Sequence, residues 1–319
     1  MNFLTDFIKS IDFASPWTFF TLFLITSMVM LWRLEAMLDH GLEGTALGTL
    51  VMPYCSGLGN LLFVAVVAVR GSPLQDVLTN CLVNNVTNLT LVLGLPALLW
   101  GLAVVPGRSA GSGSKRGGGG AASEINRLSL LLTLVAVLFF TGAAWLLGRD
   151  GRFDRVDGAL LVGLFLFWQS FHVFDVLKHN LRRKVSFGVL FYLDTLVVLA
   201  CAYGLYVSID WLVAWLSTQQ EGSLSAQNLG WLSGWLMVLP NALLAIYWGW
   251  KRRADIVLSS QAGDGHICIP LCLGLFALYR PVAVPDFFAN GVVVLAGAAV
   301  AHVFSCSCAA DCPVGPACC

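Results

Sequence analysis

Charge is what this sequence has least of. Asp, Glu, Lys and Arg make up only 11% of its 319 residues, against about 25% in ordinary soluble domains. So few charges cannot clothe a water-facing surface, which excludes a soluble globular enzyme. Charge of one sign is also missing. Lys+Arg and Asp+Glu stand at 18 each, so no basic excess exists to neutralise phosphates and a nucleic-acid binder is excluded. The N-terminus has no positive run, since Asp6 and Asp12 flank a single Lys9; this does not read as a cleaved signal peptide. What is present in quantity is apolar surface. Hydrophobic residues reach 58% and the mean hydropathy is +0.80, which excludes a disordered chain. Only lipid exposure tolerates this balance over such a length, so the chain reads as a multi-pass membrane protein.

Ten cysteines suggest a disulfide scaffold by count, but their placement argues otherwise. Cys55, Cys81, Cys201, Cys268 and Cys272 lie in apolar segments, where Cys behaves as a small hydrophobe. The other five crowd the stretch CSCAADCPVGPACC at 306–319. That spacing matches no compact zinc pattern, and the stretch reads as a tail over 305–319.

Nine apolar segments predict membrane helices: Trp17–Trp32, Leu47–Val69, Val77–Val105, Leu128–Leu147, Ala159–Phe174, Phe187–Leu216, Trp231–Trp250, Ile256–Leu278 and Phe287–Phe304. Runs this long are helical in lipid, because each backbone amide must be bonded within its own segment. A Gly- and Ser-rich stretch at 107–122 reads as a flexible linker. Alternating the loops puts Lys178, Arg182, Arg183, Lys184 and Lys251–Arg253 on one side, with twice the Lys and Arg of the other. The positive-inside rule then places loop 178–184 in the cytoplasm and the N-terminus outside. The host membrane is not encoded. Tryptophans such as Trp231, Trp235, Trp248 and Trp250 bracket the seventh segment, as an interfacial belt does.

Four segments carry Gly, Pro and Asn where a plain anchor would carry Leu. These are MPYCSGLGNLL (52–62), TNCLVNNVTNLTLVLG (79–94), GWLMVLPNALL (234–244) and AGDGHICIPLCLG (262–274). Paired interrupted helices at matching places in two halves point to a transporter's midplane site. Asn80, Asn84 and Asn88 recur every four residues and share one helix face, with Asn85 and Thr87 beside them. Amide and hydroxyl oxygens are hard ligands for Na⁺ or Ca²⁺; the plainer alternative is hydrogen bonding between helices. Asn60 follows Gly57 and Gly59, and Asn241 follows Pro240. Each is a cation ligand or a cap at a kink. Asp264, in Gly263-Asp264-Gly265-His266, is a carboxylate inside a span, costly unless paired or hydrated and therefore a functional candidate; otherwise it lies in a loop mouth. His266 is a proton shuttle or a hydrogen-bonded structural group. Asp194 reads as a salt-bridge or packing residue. A membrane enzyme built on Asp264, His266 and Cys268 would need those three side chains to converge away from the asparagines.

These motifs resemble the alpha repeats of the cation/Ca²⁺ exchanger superfamily, the sodium/calcium exchanger group. Cys55-Ser56-Gly57-Leu58-Gly59-Asn60 stands where that family has G-T-S-x-P-E, and Val83-Asn84-Asn85-Val86-Thr87-Asn88 where it has G-S-N-I-x-N, continued by Leu91-Val92-Leu93-Gly94. Arg70-Gly71 falls at a basic-Gly helix end. In the second half, Val238-Leu239-Pro240-Asn241, Asp255-Ile256 and Gly263–Cys268 occupy the matching places.

The resemblance implies an all-α membrane protein with about nine to ten transmembrane helices in two inverted repeats. One repeat would cover 17–176 and the other 187–304. It implies a cation antiporter, not an enzyme, working by alternating access. Its cation site would comprise Ser56, Asn60, Asn84, Asn85, Thr87, Asn88, Asn241 and Asp264, with His266 as a proton shuttle. No cofactor, separate metal site or nucleic-acid partner is implied, only small inorganic cations and the bilayer. Both family glutamates are asparagine here, at Asn60 and Asn241, which leaves selectivity among Ca²⁺, Na⁺ and H⁺-coupled exchange open. A relative that has lost transport and serves as a membrane scaffold or regulator is the alternative.

Overall fold

The computed structural model of the chain describes residues 15–39, 54, 57–71, 75–101, 119–180, 188–252 and 254–308. Nine helices appear among them. They are α1 (Pro16–Asp39), α2 (Leu58–Arg70), α3 (Gln75–Trp100), α4 (Gly119–Leu147), α5 (Arg155–Asn180), α6 (Val189–Thr218), α7 (Leu229–Trp250), α8 and α9 (Phe288–Cys308). Helix α8 is assembled from Ala254–His266, Ile267–Leu273 and Gly274–Tyr279. Seven helices are long and apolar enough to cross a membrane; α2 is a shorter apolar helix, and α5 is not among the seven. The expected all-α membrane class holds. A two-stranded antiparallel pair, β1 (Arg152–Phe153) with β2 (Val282–Ala283), ties the α4–α5 turn to the α8–α9 turn.

Boundaries moved where sequence composition misled. Helix α4 begins at Gly119, so the last four residues of the expected linker are helical; extending a helix nucleated by Leu128–Leu147 costs little. The third segment stops at Trp100, where Gly101 turns left-handed with φ 57°. Helix α9 runs on to Cys308 and takes in the start of the expected tail. The remaining tail residues, Cys55, Ser56 and most of loop 178–184 lie outside the described residues.

The expected interruptions also take another form. Helix α7 runs unbroken through Pro240. Helices α3 and α8 are continuous but each widens into a π-helical stretch, Asn88–Val92 and Ile267–Leu273. A membrane-buried backbone keeps its amides bonded, and a π turn absorbs a residue without abandoning the ladder. In α8 the wide turn also holds Pro270, which has no N–H to donate. Each π stretch follows a 13-residue α-helix, Gln75–Thr87 in one half and Ala254–His266 in the other. The α2–α3 and α7–α8 connections both pass through a left-handed residue, Gly71 at φ 69° and Arg252 at φ 60°. A side chain there costs roughly 1–2 kcal/mol; the Arg252 guanidinium donates to the Trp100 carbonyl oxygen and holds the turn.

Helices α3 and α8 are the most buried spans, while α1, α6 and α9 present the most apolar surface outward. The outward side chains include Trp17, Val69, Leu98, Phe139, Leu199 and Val293. So large an exposed apolar belt fits lipid and not water. Helix α1 packs chiefly on α6. Phe19 stacks on Trp211 at 4.3 Å, and Arg33 pairs with buried Asp194 at 3.3 Å, the salt bridge anticipated for that carboxylate. Arg70 at the end of α2 grips Asp210 of α6 with two bonds of 2.7 and 2.8 Å. Helix α7 lies against α3 through Gly230 and Gly234. A Cβ on Gly230 would sit 2.8 Å from the Asp76 carbonyl oxygen, and one on Gly234 2.8 Å from Val83. This is close approach by small residues four apart.

Outside the membrane, Asp154 caps α5. Its Oδ1 accepts from the amides of Val156 and Asp157 at 2.8 and 3.0 Å, and Asp157 Oδ2 accepts from the Asp154 amide at 2.9 Å. This is a reciprocal capping arrangement. The backbone bond from Asp157 holds the Asp154 carboxyl below its ordinary range. A depressed folded-state pKa gives stabilisation that is present above the unfolded value and lost as pH falls through the folded one. Acidification through that range is therefore expected to fray the first turn of α5. Faster amide exchange at Val156 and Asp157, with no change in the middle of α5, is the readout.

Candidate functional site

The π-containing helices bring the asparagine stripe and the buried aspartate together. Asn80, Asn84, Asn85 and Asn88 are all 0–1% exposed, and α3 supplies them from its α-helical and π portions. Asp264, one turn before the π stretch of α8, is 0% exposed. Its Oδ2 accepts from Asn84 Nδ2 at 2.7 Å, Asn88 Nδ2 at 2.8 Å and Asn241 Nδ2 at 3.2 Å. Three helices, α3, α7 and α8, thus converge on one carboxylate oxygen. Oδ2 thus accepts three amide N–H bonds, two of them at 2.7 and 2.8 Å. Among the described residues no Lys, Arg or His side chain pairs with it.

The other half of the chemistry is left over. No donor among the described residues reaches Asp264 Oδ1, nor the side-chain oxygens of Asn60, Asn80, Asn84, Asn85, Asn88 and Gln261. Buried polar atoms in proteins almost always have partners, and each unpaired one costs about 1–3 kcal/mol. Seven such oxygens lie in buried parts of the fold, alongside interhelical bonds donated by the amide nitrogens. Here the amide nitrogens of Asn84 and Asn88 are used and their oxygens remain.

The expected ligands fall as follows. Asn84, Asn88, Asn241 and Asp264 meet directly. Asn85 is buried beside them; its Oδ1 lies 3.7 Å from where a Cβ on Gly265 would stand. Thr87 is buried at the last α-helical position before the π stretch. Asn60 is 0% exposed on α2, with both its amide atoms unpaired. Ser56 lies outside the described residues. His266 points elsewhere. Its Nε2 is 3.0 Å from the Thr133 carbonyl oxygen of α4, and its ring packs edge-on against Phe140 and Trp168. Cys268 receives a bond from Asn84 Nδ2 at 3.1 Å. Asp264, His266 and Cys268 therefore do not form a separate pocket, and no group of three His, Cys, Asp or Glu suited to a metal occurs among the described residues.

Sequence reasoning missed two contributors. Gln261, one turn before Asp264 and 1% exposed, contacts the Asn241 carbonyl oxygen at 3.4 Å with its Nε2 and leaves its Oε1 unpaired. Its helical offset of three from Asp264 was the available signal. Ser233 accepts from Asn80 Nδ2 at 3.1 Å, and only the packing of α7 on α3 could reveal that pair. A narrow cleft lined by Ser27, Met30, Gly59, Leu205, Met237 and Asn241 approaches the cluster from the α1–α6 side.

Helices long and apolar enough to cross a membrane meet at a buried carboxylate among amide oxygens that have no partner among the described residues. The family model described as sodium/calcium exchanger protein matches residues 13–174, and the chain belongs to that family. Its members are transporters rather than enzymes, and the chain is a membrane cation exchanger by that membership. Solved structures of the sodium-calcium exchanger NCX_Mj share the fold. The one soaked with 2.5 mM Na⁺ and 10 mM Sr²⁺ has a TM-score of 0.62 at 18% identity over 91% of this chain and 90% of that one. The one soaked with zero Na⁺ and Ca²⁺ has a TM-score of 0.61 at 17% identity over 92% of this chain and 91% of that one. No curated protein matches the chain.

Proposed function

We propose that this exchanger is an antiporter that alternates access around the Asp264 cluster near the middle of the membrane. The observation that carries the reading is the carboxylate of Asp264, the one fully buried among the described side chains, bonded on one oxygen by three amides and unpaired on the other, among six spare amide oxygens. Asp264 would supply the charge. Asn60, Asn84, Asn85, Asn88 and Asn241 would supply carbonyl ligands, with Thr87 and Ser56 assisting. Gln261 joins them on its geometry. His266, with Nε2 committed to the Thr133 carbonyl, fits an anchor between α8 and α4; a proton-shuttle role would fall to its other ring nitrogen.

The two halves, about 17–176 and 187–304, act in this reading as inverted repeats, with the N-terminus outside and loop 178–184 cytoplasmic. The close pairing of α1 with α6, beside the cleft that reaches Asn241, is where one body would move against the other.

Antiport has a distinctive kinetic signature. In proteoliposomes loaded with an unlabelled alkali or alkaline-earth cation, uptake of the labelled ion is expected to rise at least tenfold over uptake into cation-free vesicles. Uptake indifferent to the ion on the far side would replace exchange by a leak or uniport. No uptake of any cation by folded protein would restore the scaffold alternative.

A further inference from the structure

The charge of the site, counted on the structure, points to the substrate class. The inference rests on the reading above and narrows it. Among the residues whose side chains are described, three carboxylates are buried: Asp76, Asp194 and Asp264. Asp194 is matched by Arg33 at 3.3 Å. Asp76 sits in the first turn of α3, where the helix N-terminus favours a negative group. Its Oδ1 accepts from the Gly230 amide at 3.1 Å, and it lies two to three turns from Asn84 and Asn88, about 12 and 18 Å by helix rise. Among the described side chains the cluster therefore holds one negative charge, and its other oxygens are neutral amides and hydroxyls.

We propose that the cluster takes one alkali-metal cation at a time, excludes Ca²⁺, and exchanges monovalent ions one for one without moving net charge. Affinity for Ca²⁺ rises with the number of charged ligands. A divalent ion here would leave an uncompensated positive charge in a low-dielectric interior, whereas a monovalent ion leaves the site neutral. Amide oxygens are hard, neutral donors that fit an alkali cation. When such an ion binds at Asp264 Oδ1, rotation of the Asn84 and Asn88 amides would turn their spare oxygens toward it. Before binding, three N–H groups on Oδ2 take the place of the missing positive charge. Occupied carriers facing either side are then neutral, and exchange of Na⁺ for Li⁺ builds no potential.

The test uses the full chain in proteoliposomes, with ²²Na⁺ counterflow against internal Na⁺ or Li⁺, ⁴⁵Ca²⁺ counterflow in parallel, and a potential-sensitive oxonol dye. The expected result is ²²Na⁺ counterflow with no dye response, no reduction by a hundredfold excess of Ca²⁺, and ⁴⁵Ca²⁺ uptake at the protein-free level. Ca²⁺ counterflow, Ca²⁺ competition or a developing potential would overturn the monovalent assignment while leaving antiport standing. Absence of counterflow for every ion would overturn antiport and this inference with it. Asn241→Glu adds a second carboxylate beside Asp264 and is expected to make Ca²⁺ at least tenfold more effective against ²²Na⁺ counterflow. Asn88→Asp gives the same readout should the first variant misfold. No gain of Ca²⁺ sensitivity in either folded variant would overturn the charge-count argument.

Discussion

Asp264→Asn is expected to lower cation counterflow at least a hundredfold while leaving the melting temperature unchanged or raised. The two parts of that result have different causes. An amide in place of the carboxylate removes the one charge of the cluster, so a desolvated cation meets only dipoles. It need not remove the hydrogen bonds. The Asn oxygen can still accept from the Asn84, Asn88 and Asn241 amides that now converge on Oδ2. Burying an unpaired charge is costly, and the neutral amide no longer has to hold a charge out of water. A purely structural Asp264 would behave the other way, with stability falling and transport following it. Thermal unfolding in detergent, monitored by tryptophan fluorescence alongside vesicle counterflow, separates the two. A melting temperature that drops by more than a few degrees together with flux would reduce Asp264 to a packing residue.

The legible and illegible parts of this molecule divide along the range of the interactions involved. Class and approximate spans were written in hydropathy, because lipid imposes its demand on every residue of a helix at once. Asp264 and the stripe of Asn80, Asn84 and Asn88 stood out for the same reason: polar groups in an apolar run are conspicuous singly, and their spacing places them on one face. Their meeting was not legible, since it depends on α3, α7 and α8 crossing, and the approach of α7 to α3 runs through the bare backbones at Gly230 and Gly234. The nature of the interruptions was misread. Gly and Pro announce that a regular helix is under strain, but a π turn and a break have the same composition. Only the buried, bonded backbone of α3 and α8 distinguishes them. Gln261 escaped because a lone Gln near a helix start looks like surface until its neighbours are packed.

The tightest backbone crossing makes the last prediction. Gly158 near the start of α5 faces the last, α-helical piece of α8. A Cβ there would stand 2.6 Å from the Leu278 amide nitrogen, 2.7 Å from the Gly274 carbonyl oxygen and 3.0 Å from the Ala277 carbonyl carbon. All three are backbone atoms, which cannot swing aside as a side-chain tip does. Gly274 mirrors the contact, lying 3.2 Å from the Gly158 carbonyl oxygen by the same measure.

Gly158→Ala must therefore push α5 and α8 apart, which overpacking data put at about 1–3 kcal/mol. Gly158→Leu is expected to prevent a stable fold. Gly163 on the same helix supplies the internal control, because nothing lies within 4 Å of its added Cβ. Gly163→Ala should be neutral or slightly stabilising, as Ala is a better helix former than Gly by about 1 kcal/mol. The consequence reaches the site because α8 carries both features: Gly274 is ten residues from Asp264, about 15 Å along the helix. A wedge at the crossing tilts the element that holds the carboxylate. Gly158→Ala should thus lower both the melting temperature and the counterflow rate, whereas Asp264→Asn lowers the rate alone. Equal melting temperatures for Gly158→Ala and Gly163→Ala would mean that the α5–α8 crossing is looser than its backbone distances require.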